Sequence, residues 1–313
     1  MHPPGQAGML TFVLGGGGAR GAFQVGAVQA LIEAGYRPQL LVGTSVGALN
    51  AAFLAVHGVD ADGIAALRRA WQSAAQEDLL AARRAWLAAQ ALLQREDRRY
   101  YERMRQFCIH HGLSPDLHFG QIAQVRLIVV ATDLNHGQPV LFGASPFDNV
   151  LDALLASAAL PPWILPIEAG ERLLTDGGFV SNLPIEPALR QGASEIIALD
   201  VSDMHSAGPE ARGAIALFVK AAVTASARQR DLEMALAAAR GVPVRHLELV
   251  GERPTAAWDF SHAAAQMDEG YAIAQQAIAG WRQEEEQARS RQTPSPLLQQ
   301  LQQWLKVAAR RGR

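Results

Sequence analysis

Short continuous apolar runs alternate along the chain with longer segments whose apolar positions recur every three or four residues. The first run, Met9 to Leu14, leads into four glycines, Gly15 to Gly18, and reads as a buried strand entering a tight loop. Ala22 to Glu33 then carries apolar residues at helical spacing, with Gly35 as a stop. Gln39 to Val42 is a second strand, broken at Gly43–Gly47, and Ala48 to Val56 is helical. Strand, turn, helix, twice over, predicts parallel strands with helices packed on the sheet faces.

From about residue 60 to 118 the pattern changes to Ala, Arg, Gln and Leu with little strand signal, and predicts a helical insertion. Arg95, Arg98, Arg99, Arg103 and Arg105 give it a basic surface, read either as a solvated helix face or as a lid facing lipid headgroups. Strands resume at Arg126–Thr132 and Gln138–Phe142, joined as a hairpin through Asn135–Gly137. Leu151 to Ala159 reads as a short helix stopped by Pro161 and Pro162, and Glu171 to Thr175 as a strand running into Asp176-Gly177-Gly178. Two further strands, Glu195–Leu199 and Val242–Leu249, flank a long helix from about Pro209 to Arg240. Ser261 to Trp281 closes the domain, which is therefore expected to span 9–282. Residues 283–313 are expected to form a linker and an amphipathic tail helix. That tail places Leu297, Leu298, Leu301, Trp304 and Leu305 on one face and ends in a basic cluster. It reads as a helix packed on the domain or a second subunit, as an interfacial helix on anionic lipid, or as disordered chain.

Composition narrows the function classes. The 313 residues carry 28 Lys and Arg against 30 Asp and Glu, 49% hydrophobic and 19% charged residues, which suits a globular chain and gives no basic surplus for nucleic acid. The single cysteine, Cys108, forbids an internal disulfide and reads as a small buried hydrophobe. No run reaches the roughly 20 apolar residues of a membrane-spanning helix, and the N-terminal run is too short for a signal peptide. The expectation is a cytoplasmic protein that touches membrane at most peripherally, through its tail.

The sharpest chemical signal is Gly43-Thr44-Ser45-Val46-Gly47 between a strand and a helix. A tight turn there exposes the Ser45 hydroxyl above the sheet edge, and the helix aims its first N–H groups at the same point. Gly16 to Gly21 matches the dinucleotide pattern G-x-G-x-x-G as well, but no acidic residue ends the second strand to hold a ribose. The loop instead offers the N–H groups of Gly16, Gly17 and Gly18, with that of Val46, as donors to an oxyanion. Arg20 in that loop is read as a clamp on the loop, a contact for an anionic substrate, or an exposed side chain. A serine nucleophile needs a base, and Asp176, freed by Gly177 and Gly178 to approach another loop, is the candidate.

The motifs Gly16–Gly21, Gly43–Gly47 followed by Ala48-Leu49-Asn50, Ala156 to Pro161, and Asp176–Gly178 occur in that order and together resemble the patatin-like phospholipase family, bacterial branch. The resemblance implies a three-layer α/β/α sandwich around a mainly parallel sheet. It implies acyl-ester hydrolysis of lipids by a Ser–Asp dyad without histidine. By position it makes Ser45 the nucleophile, Asp176 the base and the glycine loop the oxyanion hole, with Arg20, Gly21, Gly43, Gly47, Gly177 and Gly178 as motif positions. It implies no cofactor and no metal. His110 and His111, which would point apart on a helix or strand, show no familiar ligand spacing. His205, His246 and His262 follow Asp176 in the order a hydrolase triad would use, but none lies in a glycine-rich loop, so each reads as structural. A dyad further predicts no acid limb at an imidazole-like pKa. The rival readings are a thioesterase or acyltransferase with the same dyad, and a regulatory protein of the same fold with little chemistry.

Overall fold

The computed structural model describes residues 8–77, 98–161, 164–203, 213–253 and 255–292. It divides into two units, Met1–Ala274 and Gln275–Arg313. The first holds eight strands in one sheet: β1 (Leu10–Leu14), β2 (Leu40–Thr44), β3 (Arg126–Asp133), β4 (Gln138–Phe142), β5 (Ile167–Ala169), β6 (Arg172–Asp176), β7 (Glu195–Asp200) and β8 (Val244–Glu248). Their order is β5-β6-β3-β2-β1-β7-β8, with β4 also on β3. From β3 to β8 every neighbour on that path runs parallel, while β4, β5 and β6 pair antiparallel. Helices cover both sides, as a doubly wound sheet requires. They are α1 (Gly21–Glu33), α2 (Val46–His57), α3 (Ala61–Glu77), α4 (Arg98–His110), α5 (Val150–Ser157), α6 (Gly178–Ser181), α7 (Ile185–Arg190), α8 (Ala214–Ala239) and α9 (Ala263–Gln292).

The central strands β1 and β2 are buried almost throughout, which is why they read as unbroken apolar runs rather than alternating ones. One apolar layer packs Val13, Val42, Ile128, Val130 and Ile196 against Leu183, Ile185 and Leu189 around α7. Cys108 is free and buried, and burial pushes its thiol up to about 12, so it acts as the small hydrophobe expected.

The eight residues of β3 organise the sheet's active end. Val129 and Val130 pair with β2 and with β4, which puts those strands on opposite edges of β3. Ala131 to Asp133 pair with β4 and with β6, so β6 continues along the edge where β2 stops. Thr44 stands opposite Val130, and Asp176 opposite Ala131. The residue after β2, Ser45, and the residue ending β6, Asp176, are thereby brought end to end.

Three expectations change. Ile167–Ala169 forms the edge strand β5, and α6 and α7 follow Asp176, all too short to leave a periodic signal. The last helix runs to Gln292, so 283–292 is helix rather than linker. Glu284 to Arg289 are good helix formers with no Gly or Pro among them, and a charge run there does not break a helix. The tail helix at 297–313, most of the Arg-rich segment's centre at 78–97, and His205 lie outside the described residues.

A buried polar chain joins the layers beneath the loops. Gln24 Nε2 donates to the carbonyls of Gly15 (2.8 Å) and Leu199 (3.2 Å), at the ends of β1 and β7. Asn50 Nδ2 donates to Gly21 O and Gln24 Oε1, both at 2.9 Å, and Asn50 Oδ1 accepts the Trp71 indole N–H at 2.8 Å. Asn50 thus ties α1, α2 and α3 together at one buried point. Replacing it with Leu keeps the volume and strands three polar groups. We expect Asn50→Leu to destabilise the fold by about 2–4 kcal/mol, each unmet group contributing on the order of 1–3 kcal/mol before relaxation. Urea denaturation measures it, and a loss under about 0.5 kcal/mol would show that the chain is not structural.

Candidate active site

Ser45 sits at the turn from β2 to α2 with φ 55° and ψ −124°, the single non-glycine residue with positive φ among the described residues. Such a backbone persists only where the surroundings hold it. Here β1 packs against the start of α2 so closely that a Cβ on Gly47 would stand 2.1 Å from Leu14 O. The Ser45 N–H donates to Ser157 Oγ at 2.9 Å, and the Ser157 hydroxyl donates to Val130 O at 2.6 Å. Thr44 Oγ1 donates to Ser181 O at 2.8 Å. The strained turn is therefore pinned by β1, by α5 and by the end of α6.

Asp176 is buried. Its Oδ1 accepts the Gly178 N–H at 2.8 Å, while Oδ2 has no hydrogen-bond partner among the described residues. Burial pushes its pKa up to about 6, against the opposing pull of the Ser45 hydroxyl and the Gly178 N–H. The hydroxyl thus faces the carboxyl without closing on Oδ2, the loose arrangement common before substrate binds. A carboxylate so desolvated is a far better base than one in water. It also removes one expectation. A base titrating at about 6 produces the acid limb that an imidazole would, so a pH profile alone does not separate dyad from triad.

The glycine loop lies over the same spot, with one correction. The Gly16 N–H donates to Asn182 O at 3.0 Å, so Gly16 is not a free donor. Asn182 also donates from Nδ2 to Gly16 O and to Ser202 Oγ, clasping the loop from the end of α6. Gly17, Gly18 and Val46 remain as the candidate N–H donors, with no backbone partner among the described residues. Gly18 has φ 61° and passes so close to Ala257 O that a Cβ would stand 2.0 Å from it. Arg20 is buried, not exposed: Nε donates to Gly17 O at 3.2 Å, and its Nη1 has no partner among the described residues. Burial lowers its pKa, opposed by the carboxylates of Asp203 and Asp200.

All these groups open on one cavity of about 440 Å³. Ser45, Asp176, Gly16, Gly17, Gly18, Arg20, Val46 and Gly178 line it, whereas Gly21, Gly43, Gly47 and Gly177 serve close packing behind it. No histidine lines it among the described residues. His246 Nε2 instead meets Asp200 Oδ2 at 3.1 Å, and His262 lies 4.0 Å from Asp259. His110 and His111 do not point apart. Their rings meet edge to face, with centroids 5.2 Å apart. Ser157 and Asn182 escaped sequence reasoning. Ser157 lies inside the Ala156–Pro161 run, but nothing local marks it as an acceptor for Ser45, and Asn182 acts through its backbone carbonyl as much as its side chain.

A family model described as patatin-like phospholipase matches residues 12–189. An uncharacterized NTE family protein of Mycobacterium tuberculosis is 33% identical over 205 residues, covering 64% of this chain and 51% of that protein. The lysophospholipase nte1 of Aspergillus terreus is 30% identical over 206 residues, 65% of this chain and 12% of that protein. This chain's match thus spans about half the length of the mycobacterial relative. Among solved structures, VipD from Legionella pneumophila aligns with a TM-score of 0.42 at 15% identity, covering 88% of this chain and 67% of that one. The type III effector ExoU aligns with a TM-score of 0.43 at 19% identity, covering 90% and 54%.

The electrostatics predict a stability signature. Asp176 titrates at about 6 when folded and near 3.9 when unfolded, so between those values the native state holds more protons and stability falls as pH rises. Asp176→Asn removes that penalty. We expect the variant to gain on the order of 2–3 kcal/mol at pH 8 and the gain to vanish towards pH 4. Thermal melts of both proteins across that range test it; a variant less stable than the parent at pH 8 would refute it.

Proposed function

Because the chain belongs to the patatin-like phospholipase family, we propose that it is a serine acyl hydrolase that cleaves lipid acyl esters through a Ser45–Asp176 dyad. The observation that carries the reading is a serine held in a strained strand-to-helix turn, facing a desolvated carboxylate in an apolar cavity. In this reading Asp176 accepts the Ser45 proton as Oγ attacks the acyl carbonyl. The N–H groups of Gly17, Gly18 and Val46 hold the oxyanion, assisted by the start of α2. The tetrahedral intermediate collapses and expels the alcohol, which takes up the proton held by Asp176. Water, deprotonated by Asp176, then attacks the acyl-enzyme; the second tetrahedral intermediate collapses with cleavage of the acyl–Oγ bond, Ser45 Oγ takes back the proton held by Asp176, and the fatty acid leaves. Arg20 keeps the donor loop in shape through Gly17 O, and no cofactor takes part. The substrate is a lipid ester, which an apolar cavity with a few converging polar groups suits.

The test uses a serine-directed fluorophosphonate and a soluble acyl ester. Labelling and turnover are expected in the parent. Both should be lost in Ser45→Ala, and turnover should fall at least about 10³-fold in Asp176→Asn, where the shape survives without the base. His246→Gln and His262→Gln should retain most turnover. A folded Ser45→Ala protein with full activity would overturn the mechanism, and a folded but inactive His→Gln variant would replace Asp176 as the base by that histidine. Absence of both labelling and turnover in the parent would favour a regulatory protein of the same fold.

A further inference from the structure

The single turn of α6 bears on every part of the site. Its Gly178 N–H holds Asp176 Oδ1 at 2.8 Å. Ser181 O accepts the hydroxyl of Thr44, the residue before the nucleophile, at 2.8 Å. Asn182, the next residue, clasps the glycine loop. One helical turn has too few internal hydrogen bonds to fix its own place. The restraint comes from behind, on α8. Gln229 Nε2 donates to Phe179 O at 2.6 Å. One turn further along the same face, Glu233 Oε1 accepts the Ser181 hydroxyl at 2.7 Å. Glu233 Oε2 accepts the Glu186 N–H of α7, also at 2.7 Å. Glu233 is buried and does not line the cavity, so it braces α6 from outside the site.

Two donors meeting two carboxyl oxygens is the pattern of the anion. The Glu186 N–H cannot turn round, so a proton on Glu233 belongs on Oε1, where the Ser181 hydroxyl can rotate. The bond to Ser181 then survives only in reverse, with the serine accepting, and the stronger charge-assisted bond is lost. Burial pushes the Glu233 pKa up to about 7, and the like charge of Glu186 adds to it against the pull of the Glu186, Ser181 and Ile185 donors. The other charges on the elements packed with α8 are engaged elsewhere. Arg190 pairs with Glu186, Arg230 with Asp200 and Asp231, Arg245 with Glu195, and His246 with Asp200 and Glu248. Residues 178–181 of α6 carry no charge.

We propose that Glu233 is a positioning residue: its carboxylate, acting through Ser181, holds α6 so that Asp176 and the Asn182 clasp on the glycine loop stay in register with Ser45. The proposal rests on the acyl-hydrolase reading and deepens it. Glu233 touches no reacting atom. The groups it sets are the base and the loop that carries the oxyanion donors, so its effect falls on kcat rather than on KM. Misplacing such groups by about 1 Å costs about 10²-fold, and a reversed hydrogen bond two residues behind them costs less, about 5–10-fold. Gln at this position offers an acceptor to the Glu186 N–H and a donor to Ser181, the pattern of the protonated acid. Glu233→Gln therefore imitates, at every pH, the parent with Glu233 neutral.

The experiment measures kcat and KM for p-nitrophenyl butanoate across neutral pH with the parent, Glu233→Gln, Ser181→Ala and the double variant. On the alkaline side Glu233→Gln should lower kcat about 5–10-fold and leave KM unchanged. On the acid side the two proteins should converge, so their kcat ratio traces one titration centred at about 7. Asp176 is present in both, and its own titration divides out of the ratio. Ser181→Ala should lose as much as Glu233→Gln, and the double variant no more than either, because all three break the same link. If Glu233→Gln fails to fold, Ser181→Ala decides alone by the same pH dependence of its ratio to the parent. Unchanged kcat at alkaline pH, a loss that is the same at every pH, or additive losses in the double variant would each overturn the positioning role and leave the hydrolase reading standing. A parent with neither turnover nor fluorophosphonate labelling overturns the hydrolase reading, and the proposal with it.

Discussion

The site depends on how one strand shares its edge. β3 is long enough to serve β2 with its first half and β6 with its second, and the junction falls between Val130 and Ala131. Two chain segments more than a hundred residues apart therefore end face to face. Nearly every feature around Ser45 refers back to this junction. Ser157 reaches the Ser45 N–H while donating to Val130 O, and Thr132 Oγ1 donates to Asp176 O at 2.8 Å. Shifting the register of β6 by one residue would turn the Asp176 side chain to the other face of the sheet.

Holding a buried carboxylate in that place is unfavourable, and the structure does little to relieve it. Asp200 shows the contrast on the same sheet. Burial pushes its pKa up too, yet His246, Ser202 and Arg230 gather around it and it ends below its ordinary value. Asp176 has one backbone N–H, a neighbouring hydroxyl and an orphan oxygen. A fully satisfied carboxylate is a structural anchor with little affinity for protons; an under-satisfied one keeps that affinity. The difference between the two aspartates lies in their neighbours, not in their burial. Further from the site, Glu233 of α8 is a third buried carboxylate, pushed up to about 7 although it accepts from Ser181 and Glu186 N–H. It links α8 to α6 and α7.

Much of this was legible in the residues because the strongest constraints are local. A buried parallel strand needs a continuous apolar run, and the turn at Ser45 needs small neighbours, so β1, β2, α1, α2 and both chemical loops stand out. What stayed hidden depends on partners distant in sequence. The occupation of the Gly16 N–H by Asn182 O joins residues 166 apart, and no motif at either end announces it. Arg20 looked as much like a surface cation as a buried clamp, because its burial is decided by the loop around Ala257 and by Asp203. The last helix was cut short because a cluster of glutamates reads as solvated chain, although glutamate stabilises a helix as well as almost any residue.

The division of labour in the cavity follows from the same distinction. Ser45 and Asp176 sit at strand ends, and Ser45 also at the start of α2, all tied into the sheet. The apolar lining beside them comes in part from α2, α3 and α4. The Asn50–Trp71 hydrogen bond joins the two systems. It ties α3, which lines the cavity, to the helix that begins at Ser45. The junction on β3 meanwhile holds Ser45 and Asp176 end to end, independently of the side chains that α3 and α4 present to the cavity.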